Sequence, residues 1–380
     1  MSKHLAEKMK CTGCTSCMNT CPQKAITMCE DEEGFLYPIV NKELCVACGL
    51  CSKVCPVLSP AEIAPNLCCY AAKNRDLSQR ADSTSGGVFA ALAKKVVADG
   101  GIVCGAAFNS QWNVVHTFAS NETELSPLLG SKYVQSKLDD CFAIVKLFLD
   151  SGKQVLFSGT PCQVAGLNHF LQHFYSSLIT VEVFCHGVPS PMVWQRYILE
   201  KCANNEVHHV IFRNKKVSWA NFSVAAFLHD GTAIFDEPYV QNIYYKGFLT
   251  NLYLRPSCTR CVAKPFKSGS DLSIGDFWGI QNYFPDFNDD KGVSAVIIHS
   301  EKGLSLFNQL SFDKVETSYH AILQGNSSLE KSVTSSPHRT LFFQLLNQNA
   351  YSIQQLLTKF TRPSFKKRVK SFIKIIIRKK

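Results

Sequence analysis

No apolar run in this sequence reaches the ~18 uncharged residues that a membrane-spanning helix needs. The opening stretch, MSKHLAEKMKCTGC, lacks the apolar segment of a secretory signal. A soluble, cytoplasmic chain is the expectation. Charged residues are scarce, at 18% against 46% hydrophobic ones, and that balance excludes wholesale disorder. There is no G-x-G-x-x-G, no Walker loop and no G-x-S-x-G elbow. Ordinary dinucleotide-binding, P-loop and α/β-hydrolase chemistry therefore lose their main support. The H-E-x-x-H pair of metalloproteases is missing too.

A spread of positive charge is also lacking, although the net charge is +10. Lys366, Lys367, Arg368, Lys370, Lys374, Arg378, Lys379 and Lys380 lie in a final segment without an acid, and the rest of the chain carries only +2. Nucleic-acid binding wants basic residues spread over a folded face, so no nucleic-acid partner is expected. Within the tail, Phe365, Val369, Phe372, Ile373 and Ile376 fall on one face of a helix with cations around it. Such a stretch suits peripheral contact with an anionic membrane, here the inner face of the cytoplasmic membrane, without spanning it. Packing against the protein's own body is the alternative.

Cysteine is plentiful. Eighteen in 380 residues is about 4.7%, below the ~8–10% of a short disulfide scaffold, in a chain long enough for two or three domains. In a reducing compartment such numbers argue for metal. Cys11, Cys14, Cys17 and Cys21 stand at C-x2-C-x2-C-x3-C before Pro22, and Cys45, Cys48, Cys51 and Cys55 repeat the spacing before Pro56. This is the bacterial ferredoxin run, in which each fourth cysteine ligates the other cluster. Three thiolates on a short loop can wrap one cubane while the fourth departs on a helix toward its neighbour. Cys11, Cys14, Cys17 and Cys55 are thus assigned to one 4Fe-4S cluster, and Cys45, Cys48, Cys51 and Cys21 to the second. Zinc knuckles usually show two cysteine pairs around a longer insert and fit this pattern poorly. Glu33-Gly34-Phe35 and Tyr37-Pro38 read as a hairpin between the repeats, and residues 57–67 as a linker.

Beyond Cys68 the pattern changes. Val88, Phe89, Leu92, Val96 and Val97 recur at helical spacing and stop at Asp99-Gly100-Gly101. Strands are expected at 102–108, 112–118, 155–157 and 178–184, with a helix over 142–149 and further alternation to about residue 310. The fold class is α+β: a ferredoxin-like two-cluster domain (1–60), then a mixed α/β body (68–150 and 151–312), then a helical region (313–380). Cys162 and Cys185 each follow a strand, and Cys258 and Cys261 form a C-x2-C pair among basic residues. Neighbouring strand ends converge on one sheet edge, so a joint site is geometrically reasonable. A third cluster, a zinc site and plain buried cysteines all remain open on spacing alone. Cys29, Cys68, Cys69, Cys104, Cys141 and Cys202 show no ligand spacing and read as core or surface thiols.

The motifs Thr84-Ser85-Gly86-Gly87, Gly130-Ser131-Lys132-Tyr133-Val134-Gln135-Ser136, Gly159-Thr160-Pro161-Cys162-Gln163, Cys185-His186-Gly187-Val188-Pro189-Ser190-Pro191, Leu254-Arg255-Pro256-Ser257-Cys258 and Ile274-Gly275-Asp276-Phe277-Trp278-Gly279 occur in that order. Together with the cysteine runs they make the chain resemble the family of coenzyme F-420 hydrogenase/dehydrogenase beta subunits, in the bacterial form with a fused two-cluster ferredoxin. The resemblance implies an FAD- and 4Fe-4S-dependent oxidoreductase, with a third cluster on Cys162, Cys185, Cys258 and Cys261. It implies a flavin held by Ser85, Gly86, Gly87, Lys132, Tyr133, Gln135 and Ser136, and His186 as a proton donor beside it. Asp276 is either catalytic or turn-stabilising. An electron donor or acceptor protein and a small molecule, deazaflavin-like or from a polysaccharide pathway, are the implied partners. The alternative is a non-enzymatic electron-transfer protein docking on another oxidoreductase as one of its subunits.

Overall fold

The structure, a computed structural model, describes residues 5–203 and 205–362. Its first part repeats one loop. After Cys11 and after Cys45 the backbone enters the left-handed region at equivalent places: Gly13 (φ 71°) and Thr15 (φ 65°) in the first loop, Ala47 (φ 53°) and Gly49 (φ 77°) in the second. A single helical turn follows each time, Ser16–Asn19 and Leu50–Lys53. Positive φ is costly for a residue with a side chain, so its recurrence at Thr15 and Ala47 marks a loop shape imposed on the sequence. The strands β1 (Ile26–Glu30) and β2 (Leu36–Val40) form the expected hairpin between the halves. Asp31 Oδ1 shapes its turn by accepting from the amides of Glu33 and Phe35 at 3.1 and 2.9 Å.

The body then contributes β3 (Cys68–Asn74), β4 (Ile102–Phe108), β5 (Val114–Ala119), β6 (Val155–Gly159) and β7 (Leu178–Val183). It continues with β8 (His209–Asn214), β9 (Ser223–Phe227), β10 (Ala233–Pro238), β11 (Leu272–Asp276), β12 (Ser294–Ile298) and β13 (Phe312–Thr317). Eight of these make one mixed sheet in the order β13-β3-β12-β11-β7-β6-β4-β5, while β8, β9 and β10 form a separate antiparallel sheet. In the large sheet β4, β6, β7 and β11 run parallel as neighbours. Strands β6 and β12 are buried at every residue, as expected where both sheet faces are covered. The helix Val88–Ala98 buries Val88, Leu92 and Val96, and ends at Asp99 before Gly100 (φ 80°). The helix Pro191–Lys201 packs Trp194 and Tyr197 into the aromatic core around β8 to β10.

The sheet draws strands from both sides of residue 150, and β13 pairs with β3 from Phe312↔Asn74 to Thr317↔Cys69. Residues 68–150 and 151–312 thus share one layer, and the region after 312 opens with a strand that joins it. Helices Arg339–Asn347 and Ile353–Thr361 follow. The second is docked where the Ile353 amide donates to Glu200 Oε2 at 2.8 Å. The basic tail, 363–380, lies outside the described residues. Among the described residues no helix is long and apolar enough to cross a membrane.

Candidate functional site

The cysteines of the first module fall into two neighbourhoods that cross between the repeats. Burial pushes the Cys17 thiol up, and the charges of Cys14, Cys11 and Cys55 add to it. Burial also raises Cys55, to about 11, with Cys14 and Cys11 beside it. Cys21, Cys45, Cys48 and Cys51 instead line one pocket together with Pro22, Ala25 and Val46. Each fourth cysteine thus sits with the first three of the other run. Cys14 is buried, whereas Cys45 and Cys48 are exposed.

A third group forms at the sheet edge. Cys162 leaves the end of β6 in the first turn of the helix Pro161–Leu171, which Thr160 and Gln163 close with a reciprocal capping box. Cys185 leaves the end of β7, the parallel neighbour of β6. Cys258 lies in the turn Pro256–Arg260, which is pinned by a bridge between Pro189 and Leu254 and by the Arg255 amide donating to Val188 O at 2.9 Å. Burial raises Cys162 well above the ordinary thiol range, with Cys261, Cys185 and Cys258 adding their charges. It carries Cys185 to about 12 and Cys258 to about 11, and raises Cys261. Buried thiols of this kind keep their protons unless a metal displaces them. Four mutually adjacent sulfurs are a donor set suited to an iron–sulfur cluster. A lone zinc ion draws its thiolates to ~2.3 Å from one point. Among the described residues no group of three or more His, Cys, Asp or Glu side chains closes around one point to hold a single metal ion.

The helix bearing Cys162 also touches the ferredoxin module. Ser16 Oγ donates to Gly166 O at 2.8 Å, and a Cβ on Gly166 would lie 2.7 Å from Cys14 Cβ. Only a glycine allows that approach. One helical turn, ~6 Å of rise, separates Gly166 from Cys162.

Against this group opens a cavity of about 510 Å³, within the ~300–1,000 Å³ range of small-molecule sites. Ala106, Gly159, Phe184 and Asp276 on its wall mark the C-terminal ends of β4, β6, β7 and β11, where ligands of parallel sheets bind. Ser85, Gly87, Lys132, Tyr133, Ser136, Cys185 and His186 line it together. Gly87, at φ 83°, is the N-cap of Val88–Ala98 and supplies no side-chain cap. The first amides of that helix therefore have no cap side chain for a partner, and the dipole favours an anion there. Lys132 Nζ donates to Pro127 O and Leu129 O, both at 2.7 Å, and burial lowers its pKa to about 7. The Tyr133 ring stands edge-on to Phe212 and Tyr245. Burial lowers the pKa of His186; its Nε2–H donates to Asn251 Oδ1 at 2.7 Å.

Two expected flavin contacts are elsewhere. Gly86 is absent from the cavity wall. A Cβ there would lie 2.3 Å from Ala72 O, and its amide donates to Ser294 Oγ at 3.0 Å, so it closes the loop onto β3 and β12. Gln135 is buried away from the cavity, donating from Nε2 to Thr12 O at 3.0 Å and accepting from Arg255 Nη1 at 2.9 Å. Cavity residues without a spacing signal are the ones the sequence hid. Arg213, in β8, pairs with Asp276 at 2.9 Å and lies 3.9 Å from the Phe222 ring centroid. Asp276 also accepts from Trp219 Nε1 at 2.8 Å, so its carboxylate is locked into a buried ion pair. Burial lowers His116 to about 4. Its Nδ1 and Arg213 Nε are buried polar atoms without a partner, and both residues border the cavity. An anion-favouring helix start, aromatic walls and unmatched polar groups together fit a flavin dinucleotide.

Comparison with known proteins bears on both parts. A family model describing the C terminus of the coenzyme F420 hydrogenase/dehydrogenase beta subunit matches residues 152–319, and one of a "4Fe-4S dicluster domain" matches residues 10–58. The chain is 27% identical over 202 residues to a coenzyme F420-dependent sulfite reductase of Methanocaldococcus jannaschii, covering 50% of this chain and 30% of that protein. It is 25% identical over 196 residues to one subunit of the F(420)H(2) dehydrogenase of Methanosarcina mazei, covering 47% of this chain and 55% of the relative. It thus spans less than two thirds of either. A chain of the F420-reducing NiFe hydrogenase complex from Methanosarcina barkeri aligns with a TM-score of 0.46 and 15% identity over 77% of this chain and 91% of its own. Residues 152–319 belong to the C-terminal family of coenzyme F420 hydrogenase/dehydrogenase beta subunits, and residues 10–58 are a 4Fe-4S dicluster domain.

Proposed function

We propose that this chain is an iron–sulfur flavoprotein oxidoreductase that links a protein redox partner to a small molecule through three 4Fe-4S clusters and FAD. One observation carries the reading: a single cavity is bordered both by the glycine loop at the start of Val88–Ala98 and by Cys185-His186 of the four-cysteine group. FAD held there would exchange single electrons with the clusters and a hydride equivalent with the small molecule. The amides after Gly87 would take the pyrophosphate and Lys132 would offer a cation. Tyr133, Tyr245 and Phe248 would keep water from the ring, and His186 would hold a proton at the cavity wall. The exposed loop of Cys45 and Cys48 is the natural entry for electrons. The contact of Gly166 with Cys14 supports the path from the first module to Cys162. The F420-dependent names of two relatives favour a deazaflavin over a polysaccharide precursor as substrate. One of those names is that of a subunit, which supports the second reading, an electron-transfer component without its own substrate.

Anaerobic purification followed by iron analysis and flavin extraction tests the proposal. The expected result is about 12 iron atoms per chain with one FAD, and turnover of a reduced deazaflavin with an artificial acceptor. Full iron without flavin would overturn the flavoprotein reading. Flavin without any turnover would favour the relay.

A further inference from the structure

Arg255 is among the most buried side chains of the molecule, 1% exposed, and among the described residues no carboxylate forms an ion pair with it. Its fork is spent on neutral acceptors. Nε donates to Cys11 O at 2.8 Å, Nη1 to Gln135 Oε1 at 2.9 Å and Nη2 to Leu36 O at 2.9 Å. The guanidinium carbon also lies 4.3 Å from the Tyr37 ring centroid. A buried cation without a counter-charge is strongly destabilising, so a negative group is needed nearby. Two cysteine ligands meet it. Its Nε–H holds Cys11 by the carbonyl, and a Cβ on Gly13 in the same loop would lie 2.8 Å from Nη1. Cys11 belongs to the first ferredoxin group and Cys258 to the body group. Cys258 is also tied locally, its amide donating to Arg255 O at 3.0 Å.

We infer that Arg255 is the shared counter-cation of two clusters, the one on Cys11 and the one on Cys258, and the positioning residue that sets their potentials together. The inference rests on the cluster assignment proposed above. A 4Fe-4S cluster gains negative charge on reduction, and net charge and hydrogen bonds around its sulfurs set its potential. A fixed cation between two clusters favours reduction of each. Reduction of one uses part of that field, so the second electron goes in less readily. The guanidinium fork, which also joins Leu36, Cys11 and Gln135, fixes the distance between the clusters.

The test is redox titration of the full chain, anaerobically prepared, followed by electron paramagnetic resonance. In Arg255→Gln, the Cys11 and Cys258 clusters should both become harder to reduce, by tenfold or more in equilibrium constant, or about 59 mV for a one-electron couple. The cluster on Cys21 and Cys45 should not move. Arg255→Lys should recover most of the shift. Gln135→Glu gives the arginine its own carboxylate without changing side-chain size, and should reproduce the shift; it decides the matter if Arg255→Gln loses iron. Wild-type protein short of about 12 irons would break the cluster assignment itself. Three intact clusters with unmoved potentials in the variants would overturn the role of Arg255 alone.

Discussion

Gln163 Nε2 donates to Ser136 Oγ at 2.8 Å, joining the helix that carries Cys162 to the loop that carries Lys132. The same side chain closes the capping box, its Oε1 accepting from the Thr160 amide at 3.0 Å. One buried amide thus serves the four-cysteine group and the cavity wall at once. Replacing Gln163 by Ala removes both bonds and should cost about 0.5–2 kcal/mol of stability, the range for a lost cap. Chemical unfolding measures that loss, and extracted flavin should fall with it. Wild-type flavin content in a destabilised variant would confine Gln163 to a structural role.

Gly87 sits at φ 83°, and a Cβ there would lie 3.0 Å from Asn74 Cβ and 3.2 Å from Arg80 Cα. Any side chain meets both an unfavourable backbone region and a crowded loop. Gly87→Val should lose FAD while retaining the visible absorbance of the clusters. Normal flavin retention would take the phosphate role from this loop.

The ferredoxin module was legible because its chemistry is written at short range, in the spacing from Cys11 to Cys55. Helices such as Val88–Ala98 were legible because burial follows one helical face. What could not be read was long-range. The β8 to β10 sheet is short and half-buried, its residues Ser223–Phe227 and Ala233–Pro238 showing no sustained alternation. Arg213 is one arginine within a strand, and only the fold brings it to Asp276, 63 positions away. Gln135 stood in a motif shared with Lys132, and only long-range contacts turn it toward Thr12 and Arg255. Cys104 and Cys141, without ligand spacing, are buried with their sulfurs 3.1 Å apart.

The four-cysteine group makes a stoichiometric prediction. Cys258→Ala should lower iron from about 12 to about eight per chain and leave the two ferredoxin signals in place. Cys258 Sγ accepts from the Val188 amide at 3.4 Å, and loss of that bond is a local change. Unchanged iron would remove the third cluster.

Lys132 predicts a pH profile. Burial lowers its pKa to about 7, so the flavin-free protein carries it charged below that pH and neutral above. An anionic flavin phosphate held near it favours the charged form, and binding above that point must take up a proton. FAD affinity should therefore be flat below about 7 and weaken as pH rises, by up to tenfold per unit. Fluorescence titration across roughly pH 6–9 reads this directly. Lys132→Met should bind FAD weakly with a flat profile. A wild-type affinity that strengthens toward high pH would place the phosphates away from Lys132.

The basic tail gives a prediction argued from sequence. Residues 363–380 hold eight cations and no acid, with Phe365, Val369, Phe372, Ile373 and Ile376 at helical spacing. Each cation held close to an anionic leaflet contributes roughly 1 kcal/mol, and the apolar face adds burial in the headgroup region. Together these exceed what one membrane anchor of marginal strength supplies. The full chain should sediment with phosphatidylserine vesicles at low salt and release as salt rises, because screening shortens the reach of the charges. Removing residues 363–380 should abolish sedimentation while iron and flavin stay at their full-length values. A helix folded back on the body, with its lysines in solvent, predicts instead a loss of thermal stability on truncation and no vesicle binding by either form. Equal sedimentation of both forms would leave the tail without a membrane role.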